Sequence, residues 1–159
     1  MKPVRYIFLN KGLGMSPGKA AAQAAHAEML ANIDYFSAHS SVAQIATEHE
    51  TPILDWFEKQ QPLFDEWLTS GHYTKLVMQA DNESILSNVK EYLETRGYRT
   101  YLVIDEGRTE IDPFTKTALA VELVDKDDER VQQHFGEFRT YKPPKPDLKK
   151  RRTGGWKKR

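Results

Sequence analysis

The chain has 159 residues, with 23 Lys or Arg against 23 Asp or Glu and no cysteine. One domain with a core that needs no disulfide is expected at that length. A disulfide scaffold, a thiolate metal site, an iron–sulfur cluster and a thiol nucleophile are excluded.

The elements follow in chain order. Residues 5–10 (RYIFLN) are rich in β-formers and predict a buried first strand. A glycine-containing loop, residues 11–15, leads to a helix start with Ser16 as N-cap and Pro17 in the first turn. That helix is predicted to run to about residue 37. Seven of residues 20–31 are alanine, so it can lie close to a sheet. Residues 40–48 predict a further short helix. Thr51-Pro52 marks another start, leading into residues 53–68. There Leu54, Phe57, Phe64, Trp67 and Leu68 form an apolar stripe, with Pro62 expected to break the helix in two. Residues 75–80 predict a second strand. A helix opens at residues 81–84 and runs to about residue 96, with Gly97 at its C-terminal cap. Residues 98–105 and 117–124 predict two more strands, and residues 125–136 a short last helix. This order predicts an α/β fold: a small mixed four-stranded sheet between helical layers, with an extra helical insertion (38–73) after the first helix. The link between the last two strands carries no helix signal, so those strands are expected to be antiparallel.

The balanced charge conceals an asymmetry. Residues 142–159 hold nine basic residues and one acid, a net of +8, whereas residues 1–141 carry a net of −8. The expected division is a folded domain over 1–141 and a basic, disordered tail over 142–159. Lys149, Lys150, Arg151, Arg152, Lys157, Lys158 and Arg159 fit phosphate contacts, and Trp156 fits stacking on a base. A solubilising or targeting tail, or one that folds back on the acidic body, fits the same composition. No apolar run approaches the roughly 20 residues of a membrane span, and the N-terminus lacks a signal-peptide layout. A soluble cytoplasmic protein with no membrane contact is expected.

Two segments hold groups fit for chemistry. Lys19, Gln23 and His26 recur at i, i+4 and i+7, so one helix face carries a cation, an amide and an imidazole. Lys19 also lies in the first turn, where free N–H groups favour an anion. A solvated polar face is the alternative. The segment is not a P-loop: position 13 is Leu13 and the residue after the lysine is Ala20, where glycine and Ser/Thr are required. The second segment, residues 105–117 (DEGRTEIDPFTKT), opens at a strand end, where α/β sheets place ligands. Parallel first and third strands would bring Lys19 and Asp105 to one edge. Gly107 permits a tight turn, and Thr109, Thr115 and Thr117 supply hydroxyls. A hairpin loop with Asp105 as a turn former fits the same composition. The five histidines show no metal-ligand spacing.

Together these segments resemble the type 2 (archaeal/eukaryotic-type) peptidyl-tRNA hydrolases. GKAAAQAAHA (18–27) is similar to that family's G-K-x-x-A-Q-x-x-H-A signature. Residues 105–121 are similar to its D-A-G-x-T-x-I-x-P-G-[ST]-x-T-x-L-A-I block. The resemblance implies a small mixed sheet between helix layers and a possible homodimer. It implies hydrolysis of the ester joining a peptide to the 3′-terminal ribose of tRNA, recycling the tRNA, with no metal or organic cofactor. The implied catalytic residues are Lys19, Asp105 and Thr109, with Gln23, His26, Gly107, Thr115 and Thr117 around the substrate. Four departures stand out. Glu106 and Phe114 replace a family alanine and glycine, Glu122-Leu123 replaces a Gly-Pro pair, and the stretch between His26 and Lys75 is longer than the family pattern. Glu106, with its added charge, and Phe114 favour an alternative, an RNA-binding protein that kept the fold with lost or altered turnover. An esterase on smaller aminoacyl or peptidyl esters is another.

Overall fold

The structure is a computed structural model and describes residues 1–45 and 52–143. In chain order it contains β1 (Pro3–Asn10), α1 (Pro17–Ile45), α2 (Pro52–Thr69), β2 (Lys75–Ala80), α3 (Glu83–Glu94), β3 (Thr100–Asp105), β4 (Thr115–Asp125) and α4 (Glu129–Phe135). A single 3-10 turn, Lys11–Leu13, follows β1. No helix among the described residues is long and apolar enough to cross a membrane.

The four strands form one mixed sheet in the order β2-β1-β4-β3. Strand β1 pairs parallel with β2 and antiparallel with β4, and β4 pairs antiparallel with β3. Strands β1 and β3 therefore point the same way, and their carboxyl ends share one edge. All eight residues of β1 are buried, because helices cover both faces of the sheet. Val4, Tyr6 and Phe8 pack with Leu86, Val89 and Leu93 of α3 and with Val131 and Phe135 of α4. Ile7 and Leu9 pack on the other face, against Ala20, Ala27 and Ala31 of α1. The alternation of β1 thus feeds two cores at once.

The first helix is longer than its sequence predicts. No separate helix begins at residue 40; α1 continues through Ile45. Residues 46–51 and the tail beyond residue 143, including Lys149, Lys150, Arg151, Arg152, Trp156, Lys157, Lys158 and Arg159, lie outside the described residues. The middle of α1 packs on the second helix. Tyr35 and Ala38 of α1 join Phe57, Phe64 and Trp67 of α2 and Leu123 of β4 in a third cluster. Tyr35 stacks on Phe64 with ring centroids 3.9 Å apart. Pro62 does not break α2, which runs unbroken from Pro52 to Thr69. The ring of Pro62 lies on the solvent side, and the aromatic seam to either side outweighs a local cost of about 3 kcal/mol.

Helix α2 docks on β4 at the Glu122-Leu123 pair. Trp56 donates its indole N–H to Glu122, and the Gln60 amide donates to the Leu123 carbonyl at 3.0 Å. Arg99 covers the Trp56 ring at 3.9 Å. Burial pushes the Glu122 carboxyl above its ordinary range, against the lowering effects of Trp56 and Arg99. The Glu122-Leu123 pair is therefore where α2 attaches to the sheet.

Candidate active site

The site forms where the carboxyl ends of β1 and β3 meet the first turns of α1. Ser16 caps that helix: its hydroxyl accepts from the Lys19 backbone N–H at 3.2 Å. The same hydroxyl donates to Glu110 at 2.6 Å, and the Ser16 backbone N–H donates to the other Glu110 oxygen at 3.1 Å. These bonds hold the Glu110 carboxyl below its usual range. The anion that the sequence leads one to expect at this helix start is thus supplied by the protein, from residues 106–114 between β3 and β4. Glu110 was not among the sequence candidates, because the bond spans 94 positions and no local pattern marks it.

Asp105 ends β3. A register shift between Val103 and Ile104 breaks the ladder just before it, a bulge that re-aims the strand end. Its carboxylate accepts from Lys19 Nζ at 2.5 Å and Gln23 Nε2 at 2.8 Å on one oxygen, and from the Gly107 backbone N–H at 2.8 Å on the other. Both members of the ion pair are largely covered, with side chains 12% and 9% exposed. The Lys19 hydrogen bond first, then the Gly107 N–H, hold the Asp105 carboxyl below the ordinary carboxylate range. Lys19 Nζ donates a second bond, to Thr109 Oγ1 at 2.9 Å. An ammonium has three donors, so one remains for a ligand.

Behind this pair lies a buried support. Gln23 is 1% exposed, and its carbonyl oxygen accepts from the hydroxyl of the fully buried Thr117. The two side chains fix the amide so that its N–H faces Asp105. Lys19, Gln23, Asp105, Thr109 and Thr117 therefore form one hydrogen-bonded chain. Thr117 has no surface to offer a ligand. Gly107 has φ +75°, and a Cβ there would lie 2.5 Å from the Pro113 nitrogen, so only glycine fits. Thr115 bonds the Asp112 carbonyl at 2.8 Å and closes the loop without touching the chain of bonds. His26 is exposed and lines the adjoining groove, one turn beyond Gln23.

Glu106 and Phe114, which the sequence singles out, take physical form here. The charge of Glu106 is matched by Arg108, 2.6 Å away and also exposed. Phe114 has φ +62°, the left-handed region that suits glycine, and its ring is 82% exposed. Its backbone N–H bonds the Asp105 carbonyl at 2.7 Å, which fixes the loop end where the site needs it.

A groove of about 830 Å³ opens beside the pair, lined by Lys19, Gln23, His26 and Asp105 at one end and by Met29, Leu30, Leu102 and Ile104 at the other.

The four-stranded sheet and the lysine–carboxylate–hydroxyl centre at its edge are the features expected of a type 2 peptidyl-tRNA hydrolase. The chain belongs to that family: the model of the peptidyl-tRNA hydrolase PTH2 family matches residues 4–141. It is 35% identical to the peptidyl-tRNA hydrolase of Thermococcus onnurineus over 125 residues, 76% of this chain and 87% of that protein. Its identity to the Pyrobaculum aerophilum peptidyl-tRNA hydrolase is 34%, over 76% of this chain and 88% of the other. The mouse protein named peptidyl-tRNA hydrolase 2, mitochondrial, is 30% identical over 76% of this chain and 57% of its own length.

Proposed function

We propose that this chain hydrolyses peptidyl-tRNA at the ester between the peptide and the 3′-terminal ribose, with Lys19, Asp105 and Thr109 as its working groups. The observation that carries this reading is the placement of Lys19 Nζ between Asp105 and Thr109 at the end of an open groove. In the reaction a water oxygen adds to the ester carbonyl. The bond to the ribose oxygen then breaks, and the departing oxygen takes a proton while the peptide leaves as a carboxylic acid. Charge develops on the carbonyl oxygen, and the remaining N–H of Lys19 suits it. Asp105 accepts three donors and is held well ionised, so it is poorly suited to take a proton. Its role is to keep Lys19 charged and aimed. The Thr109 oxygen accepts from Lys19, which frees its own O–H to donate to the water or the carbonyl.

The basic segment 142–159 would supply much of the attraction to RNA that the acidic body lacks. Removing it should weaken tRNA affinity and flatten its salt dependence, while cleavage of a small model ester persists. The deciding experiment follows a labelled N-acetyl-aminoacyl group on tRNA, with chelator present. Release by the wild type, slowed about 10²- to 10³-fold by Lys19→Ala, is the expected result. No release with tRNA still bound would leave an RNA-binding protein instead.

A further inference from the structure

The groove changes character along its length. Lys19, Gln23, His26 and Leu30 recur at four, seven and eleven residues on one face of α1, and Lys19 and Leu30 are about 16 Å apart along the axis. The first two turns of this face are polar. The next are hydrocarbon: Met29, Leu30 and Ile33 are 58%, 40% and 53% exposed, and Ile104 across the groove is 52% exposed. Contiguous exposed apolar side chains beside a reactive centre mark a place where something binds. Strand β3 is also an edge strand, paired with β4 on one side only. Its other side pairs with no described strand, and residues 102–105 line the groove, the edge that an extended peptide requires.

Charge separates the two halves of the substrate. The apolar arm has no cation of its own beyond Arg108, which is paired with Glu106. The β2 side of the sheet differs. Lys11, Arg139 and Lys142 are exposed around a separate hollow beside Gln79, and none has an ion-pair partner among the described residues. An ester held at Lys19 and Asp105 therefore has cations toward β2 and hydrocarbon toward β3. Its RNA side is polyanionic and its peptide side is not.

Building on the peptidyl-tRNA reading above, we infer that the arm formed by Met29, Leu30, Ile104 and the open edge of β3 is the subsite for the peptide. It receives the last residues in extended form and favours apolar or aromatic side chains next to the ester. Backbone pairing accepts many sequences, and the hydrocarbon wall grades them.

The test uses one tRNA body charged in turn with N-acetyl-Phe, N-acetyl-Leu, N-acetyl-Gly and N-acetyl-Asp. The expected kcat/KM for Phe and Leu exceeds that for Gly and Asp by about 10-fold or more, mostly through KM. Leu30→Ser and Ile104→Ser should bring this ratio near one. Neither side chain belongs to the buried core, so circular dichroism should show folded variants. Lys11→Glu should raise KM for all four substrates alike and keep the ratio. Equal rates on the four substrates, or a ratio that survives both serine variants, would overturn the inference. So would a wild-type dimer in sedimentation that Leu30→Ser dissociates without changing the ratio, because the arm would then hold a second copy. Absence of release from every substrate would instead count against the hydrolase reading itself.

Discussion

The two halves of α1 are fixed by different chemistry. The first half lies on the sheet through Ala20, Ala27 and Ala31, all nearly or fully buried, with Gln23 as the one long α1 side chain that the site inserts among them. The second half packs through Tyr35 and Ala38 on the aromatic rings of α2. Alanine contacts set a short, stiff distance, and the first half carries Lys19 and Gln23, which must meet Asp105 within hydrogen-bond reach. Aromatic contacts bury more area and tolerate more variation in spacing, and the second half carries none of these groups. Precision and adhesion are thus separated along one helix.

The separation can be broken at either end. The largest expected effect is Phe64→Ala. It removes the ring stacked on Tyr35 and should cost about 3–5 kcal/mol in urea unfolding, with turnover per folded molecule nearly unchanged. Asp105→Asn should do the opposite, lowering kcat about 10²- to 10³-fold with a small change in melting temperature. Ala27→Leu tests whether the short distance matters. Overpacking there should cost about 1–3 kcal/mol and also reduce kcat, because the helix that holds Lys19 must lift. Phe114→Gly relieves a left-handed backbone with little packing to lose, and should stabilise by about 1 kcal/mol, read as a rise in melting temperature. The smallest effect concerns pH. The raised Glu122 carboxyl binds its proton more readily folded than unfolded. Its contribution is therefore full below the ordinary carboxylate range and declines as pH rises through the raised value. Glu122→Gln should remove that slope in urea unfolding followed from about pH 4 to 8.

The sheet and the two site segments were legible because their signals are local. A run of β-formers marked β1, a serine and proline marked the start of α1, and a strand end placed Asp105. Parallel β1 and β3 then bring Lys19 to it, as the sequence led one to expect. The extent of α1 was not legible. Serines near residue 40 weaken helix propensity, yet α1 runs on through them to Ile45, with Ser40 turning its hydroxyl back onto the Phe36 carbonyl. Pro62 misled in the same way: a proline reads as a break unless the packing to either side is known. The hydroxyl of Thr117 gave no sign that it would be buried behind Gln23, nor Glu110 that it would hold the helix start. Both depend on residues that become neighbours only when the hairpin of β3 and β4 closes on α1.

The central place of β1 has a consequence for how the protein is made. Its two neighbours come late in the chain: Arg5 faces Lys75 on one side, and Pro3 faces Asp125 on the other. β1 therefore waits for its second partner until β4 is made, and until then it presents apolar residues on two faces and an open edge to its surroundings. Any copy interrupted before residue 105 also carries Lys19 without the carboxylate that aims it. Such a product is prone to associate and, on the proposed reading of the site, lacks the aimed cation that turnover requires.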